Sequence, residues 1–159
     1  MNRLQERFLV IDMKENKWIF NIQTFIYSRI KAILTSKLKS KYKDLFITDD
    51  NEVPTDPKFP SIYFEFLQPV ERGKDLEGKG INAIYLTVEV QVSVTKAQGI
   101  NVAREVAFEV LECFKDLSFE ATMPNFEKDG SGTKRMIARY SRVIGYNEAI
   151  ALMESTQNN

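Results

Sequence analysis

The stretch INAIYLTVEVQVSV, residues 81–94, decides the fold. Ile84, Leu86, Val88, Val90, Val92 and Val94 alternate with Tyr85, Thr87, Glu89, Gln91, Ser93 and Thr95. Six consecutive matches to a period of two predict a strand with one dry face and one wet face. That is the pattern of an antiparallel sheet covered on one side. Ile84 to Val94 would span roughly 35 Å at ~3.3 Å per residue, whereas typical strands hold ~5–6 residues. A strand of this length must bend or run past the core of its own subunit.

After it, Ile100, Ala103, Val106, Ala107, Val110, Leu111 and Phe114 form an apolar stripe that predicts a helix over 99–115. Asn101 is a candidate cap for its start. Before the long strand, PVERGKDLEGKGI (69–81) has three glycines and many charges, and reads as a hydrophilic inter-strand loop. SIYFEFLQ (61–68) reads as a strand, with Ile62, Phe64 and Phe66 opposite Tyr63 and Glu65. The prolines at 54, 57 and 60 make 41–60 a connection, in which KYKDLF is a short strand or a turn.

Residues 19–40 have helical spacing at Ile22, Phe25, Ile26, Ile30, Ile33 and Leu34. Residues 116–128 read as extended and interrupted at Pro124, and KDGSGT (128–133) as a loop or hairpin turn. RMIARYSRVIG (135–145) is the last strong strand, and NEAIALME a short helix before a polar end. Residues 1–18 read equally as helix or short strand. The expected fold is α+β: an antiparallel twisted β-sheet with two main amphipathic helices packed on one face. The expected organisation is an arm over 1–18, one domain over 19–145 and a C-terminal extension over 146–159.

Composition narrows the chemistry. Twenty-two basic residues balance twenty-two acidic ones, so the basic excess of a nucleic-acid-coating protein is missing and self-association meets little global repulsion. Histidine is absent, which removes the commonest general base and metal ligand. Cys113 is the only cysteine, so no intramolecular disulfide forms, and its place beside the apolar stripe reads as buried and structural. No stretch approaches the ~18 apolar residues of a membrane span. MNRLQERFLVIDMKENKW has no signal-peptide core, since Asp12 ends the apolar run Phe8–Ile11.

Candidate sites are few. ERGKDLEGKG lacks the GxxxxGK[ST] order and leads into a strand rather than a helix, so it reads as a solvated loop and not a phosphate cradle. Asp49, Asp50, Glu52 and Asp56 lack the EF-hand pattern and read as a hydrated acidic loop. Glu65 and Glu89 sit on polar faces of neighbouring strands, which an exposed sheet surface explains without catalysis. Lys31, Lys37, Lys39, Lys41 and Lys43 form a basic run at a helix end, which reads first as a solvated face whose lysines suit the helix dipole and second as a contact for phosphate or an acidic partner surface. Arg135 and Arg139, with Arg142 as a further member, form a second basic row suited to acidic residues of a neighbour. The polar face of the long strand has two readings, a wet sheet face or one covered by a neighbouring subunit. No catalytic residue, cofactor or metal site is expected.

The element order resembles a known family. A leading amphipathic helix precedes DPKFPSIYFEF, a charged glycine loop, INAIYLTVEVQVSV, a helix AREVAFEVLECF and a hairpin ending RMIARYSRVIG. This succession is similar to the tail terminator (tail completion) proteins of tailed bacteriophages over roughly residues 19–145. The resemblance implies a structural α+β virion subunit at the head-proximal end of the tail, assembled in the host cytoplasm. It implies a self-assembled ring, usually a hexamer, that caps the tail tube protein and meets the head–tail connector. It implies no covalent chemistry, no membrane and no sequence-specific nucleic-acid contact, with DNA free to pass through the ring. Arg72, Lys74 and Lys79 in the charged loop, with Arg135 and Arg139, are then the expected contact residues. The alternatives are a head–tail connector or neck subunit, and a small ligand-binding domain.

Overall fold

The structure is a computed structural model, and it describes residues 16–52, 54–74, 80–130 and 132–155. Helix α1 spans Trp18–Leu38, followed by strands β1 (Phe46–Thr48), β2 (Ser61–Phe66), β3 (Val70–Lys74) and β4 (Ile81–Thr95). Helix α2 (Ile100–Asp116), the hairpin β5 (Glu120–Gly130) and β6 (Thr133–Gly145), and helix α3 (Tyr146–Ser155) complete the order. The strands form one open sheet ordered β1-β2-β4-β6-β5, with β3 paired to β4. The fold is α+β and mostly antiparallel; the exception is the short β1, which runs parallel to β2.

The alternation in β4 is realised residue by residue. Ile84, Leu86, Val88, Val90, Val92 and Val94 are buried, and the residues between them are half-buried. At fifteen residues β4 is longer than expected, because Ile81 and Ala83 pair with β3. The expected loop at 69–81 therefore begins as a strand. Its charges and Gly73 concealed it, since β-propensity is weak in VERGK. The register slips on both sides of Gly73. Of the arm expected over residues 1–18, residues 1–15 lie outside the described residues, whereas Trp18 is not arm but the first, fully buried residue of α1.

The chain divides into two compact units, and α1, β4 and β6 each run through both. The first comprises Met1–Ile26, Gln68–Leu86 and Val143–Asn159. There the Trp18 indole is fully buried, donates from Nε1 to the Ile81 carbonyl at 3.1 Å, and meets Tyr146 of α3 edge-on. Asn16 Oδ1 accepts from Ile81 N–H at 3.0 Å, so the start of β4 is tied to the entry of α1.

The second unit comprises Tyr27–Leu67 and Thr87–Arg142. Its aromatic core sets the side of the sheet that the helices cover. Phe64 of β2 meets Tyr27 of α1 at 5.6 Å and Phe114 of α2 at 6.2 Å between ring centroids. Both helices thus share one sheet face. Phe114 also stacks flat on Tyr140 of β6, centroids 4.3 Å apart, and meets Phe119 edge-on.

In α1 every fourth residue from Trp18 to Leu38 is buried: Trp18, Ile22, Ile26, Ile30, Leu34 and Leu38. Four residues overshoot a helical turn by about 40°, so the buried stripe winds around the helix. Phe25 and Ile33, expected on the buried face, are half-buried for that reason.

The turn into α2 is built differently from expectation. Gly99, at φ +81°, is the cap position, a conformation that suits glycine, and Asn101 is an exposed first-turn residue. Thr95 and Gln98 close the turn reciprocally: each backbone N–H donates to the other's side-chain oxygen at 3.1 Å. β5 continues through Pro124, and the register shifts around it absorb the missing N–H on this outermost strand.

Candidate interaction surfaces

The face of the sheet away from the helices carries a chain of polar contacts in the second unit. Thr87 and Ser141 share a hydrogen bond at 2.7 Å. Two residues along, Arg139 Nε donates to Glu89 Oε2 at 2.8 Å, and Gln91 Nε2 donates to Glu89 Oε1 at 3.1 Å. These contacts step up β4 as they step down β6, as neighbouring antiparallel strands require. Arg139, expected to meet a neighbour's acids, is thus bonded within its own chain. Glu65 lies directly opposite Glu89 in the β2–β4 register and is exposed.

Burial raises the Glu89 carboxyl pKa, but the bonds from Arg139 and Gln91 outweigh it and hold the group below its ordinary 4.5. Glu105 is lowered too, chiefly by its bond from Lys41. A carboxylate depressed in the folded state contributes stability above its unfolded pKa, and that contribution is lost as pH falls through the folded value. With no histidine, side-chain titration adds little between about pH 5.5 and 8. The urea midpoint should be flat across that window and fall below about pH 4.5. Glu89→Gln should cost ~1–2 kcal/mol at pH 7 and reduce the acid slope. An unchanged slope in the variant would count against this assignment.

Three lysines of the basic run, Lys37, Lys39 and Lys41, are engaged. Lys41 Nζ lies 2.6 Å from Glu105, which Tyr42 also reaches at 2.7 Å. Lys37 pairs with Glu109 at 3.4 Å, and Lys39 donates to the Leu45 carbonyl at 3.1 Å. Asp50 accepts from Glu52 N–H at 3.0 Å, so this acid of the 49–56 group shapes a turn. Cys113 is buried, which pushes its thiol up to about 11. Arg142 faces the helices rather than joining the basic row: it donates to the Leu117 carbonyl and lies over Phe119.

In the first unit the sheet exposes an apolar row. Val70 is 50% exposed and pairs with Tyr85, whose ring carries the Arg72 guanidinium at 5.0 Å from its centroid. The β4–β6 register, continued, sets Val143 beside Tyr85, and Val143 is 51% exposed. Gly145, two residues on, fits that register: a Cβ there would lie 3.7 Å from the Asn82 carbonyl. An arginine on a tyrosine between two exposed valines has the composition of an interface centre. Sequence reasoning found Arg72 but not the valines, because Val70 stood in the expected loop. Lys74 pairs through its backbone with Ile81, and Lys79 lies outside the described residues. Arg72 and Lys74 thus share β3, whereas Arg135 and Arg139 belong to the other unit.

A second surface follows the outermost strand. β5 has β6 on one side and no described strand on the other. Phe126 on β5 and Phe108 on α2 are exposed, and an Arg104–Glu127 ion pair links α2 to β5. A long free edge of this kind is a ready template for association. Compared with known proteins, the chain matches no family model and no curated sequence.

Proposed function

We propose that this protein is a structural assembly subunit, a phage tail terminator whose copies close into a ring on the end of the tail tube and present a docking surface to the head connector. The observation that carries the reading is the pair of exposed valines, Val70 and Val143, with the Arg72 guanidinium over the half-buried Tyr85 ring, on a sheet whose central strand is fifteen residues long. The free edge of β5, with Phe108 and Phe126 exposed, supplies a different surface. Two unlike surfaces on one subunit are what a head-to-tail contact uses, and such contacts close into rings when the rotation between copies closes. The zero net charge opposes neither contact. The element order resembles that of tail terminators and supports the same reading.

The test is assembly. The purified protein, alone and with tail tube protein, should give rings of about six copies by mass photometry and negative-stain microscopy, and should cap tube ends. Val143→Asp combined with Arg72→Ala should abolish rings while changing folding stability by less than about 1 kcal/mol, as surface changes do. Monomers that never respond to tube ends would sink the proposal. Rings that bind a head connector but never a tube would indicate a neck subunit instead.

A further inference from the structure

Arg135 stands near the start of β6 and lines an open cleft of about 330 Å³ in the second unit. The cleft lies on the sheet face away from the helices. Its floor carries Ser61 and Tyr63 of β2 with Gln91 and Ser93 of β4. Residues of the connection before β2 form a wall, in which Pro57 and Phe59 are apolar.

Among the described residues, Arg135 Nε is the one buried side-chain nitrogen or oxygen without a hydrogen-bond partner. A buried donor with no acceptor costs roughly 1–3 kcal/mol, and more when charged. The nearby acids do not supply one. Both Glu89 oxygens accept from Arg139 and Gln91, and Asp50 Oδ1 accepts from Glu52 N–H.

We propose that this cleft binds the carboxylate of an acidic residue in an extended segment of a partner protein, seated on Arg135. With Nε out of solvent's reach, the carboxylate would meet the two Nη groups of the guanidinium, a planar fork of donors that matches it. Ser61, Ser93 and Thr133 bring hydroxyls to the same cleft for the flanking backbone, and Pro57 and Phe59 offer an apolar wall. The charged side chains lining the cleft cancel, Asp50 and Glu52 against Lys58 and Arg135. There is no net positive field to hold a doubly charged phosphate, whereas a single carboxylate needs only the local fork. The open form favours a segment lying along the cleft, since small-molecule sites usually enclose ~70–90% of their ligand. The site is independent of ring formation, and monomeric protein would bind equally.

The test uses the full chain and the Arg135 Nε–Hε resonance, assigned by its loss in Arg135→Gln. The probes are a capped pentapeptide Ala-Ala-Glu-Ala-Ala, its Gln counterpart, acetate and inorganic phosphate. The Glu peptide should shift the resonance saturably and bind at least ~10-fold tighter than the Gln peptide or acetate, one such factor being about 1.4 kcal/mol. Arg135→Gln should weaken it by a similar factor. Equal affinity for the two peptides, or no shift with either, overturns the proposal. Acetate binding as tightly as the peptide overturns the partner segment, and tighter phosphate binding overturns the carboxylate. If Arg135→Gln fails to fold, the Glu-against-Gln contrast on the native protein decides.

Discussion

Phe114→Ala should destabilise the protein by about 3–5 kcal/mol, the range for removing a fully buried aromatic ring from a packed core. Phe114 is 0% exposed and touches three other rings: it stacks on Tyr140, meets Phe119 edge-on and reaches Phe64. Those contacts come from β6, the segment after α2, and β2, so no single neighbour can move to fill the space left behind. Rigid surroundings put the cost toward the upper end of the range. At ~2–4 °C per kcal/mol for a chain of this size, the thermal midpoint should drop by about 6–20 °C. Phe108→Ala is the matched control. It lies on the same helix and is largely exposed, so it should change stability by less than about 0.5 kcal/mol. Circular dichroism melts of the two variants check the contrast, and equal losses would remove Phe114 from the centre of the core.

The difference between those phenylalanines was legible in the sequence, because Phe114 sits on the 100–103–106–107–110 stripe and Phe108 does not. Legibility failed where the local signal was weak. β3 is five residues of valine, charge and glycine, and only its pairing with β4 makes it a strand. β1 is three residues and parallel, and it shares only Phe46 with KYKDLF, the rest of which is turn. The cap of α2 fell to Gly99 because the Thr95–Gln98 exchange already closes the turn, leaving Asn101 nothing to do. Periodicity places a residue on a face, but it does not say what stands opposite. Arg135 and Arg139 looked equivalent in RMIARYSRV, yet the β4 neighbour supplies Glu89 to one and no acceptor to the Nε of the other. That asymmetry is what turns a basic row into one structural ion pair and one candidate site.

Val90→Lys and Gln91→Lys put the same side chain on adjacent residues of β4, and they should differ by at least ~3 kcal/mol. Val90 is 2% exposed and sits in the helix-covered face of the sheet. A lysine there must bury an ammonium without a partner or give up its proton, and it must also fit extra methylenes into a filled space. Either route is expected to cost at least ~4 kcal/mol, which is among the largest single-residue effects. Gln91 points the other way, beside Glu89, to which it already donates a hydrogen bond. A lysine there keeps a donor for that carboxylate and reaches solvent, so the expected change is within about 1 kcal/mol. Urea unfolding of both variants at pH 7 reads the difference directly. Because side chains alternate regularly along β4, a one-residue shift in it would reverse the outcome, with Gln91→Lys collapsing and Val90→Lys tolerated. Similar losses in both would mean that the second face is buried as deeply as the first, and the polar network Thr87–Glu89–Gln91 would then be an interior rather than a surface.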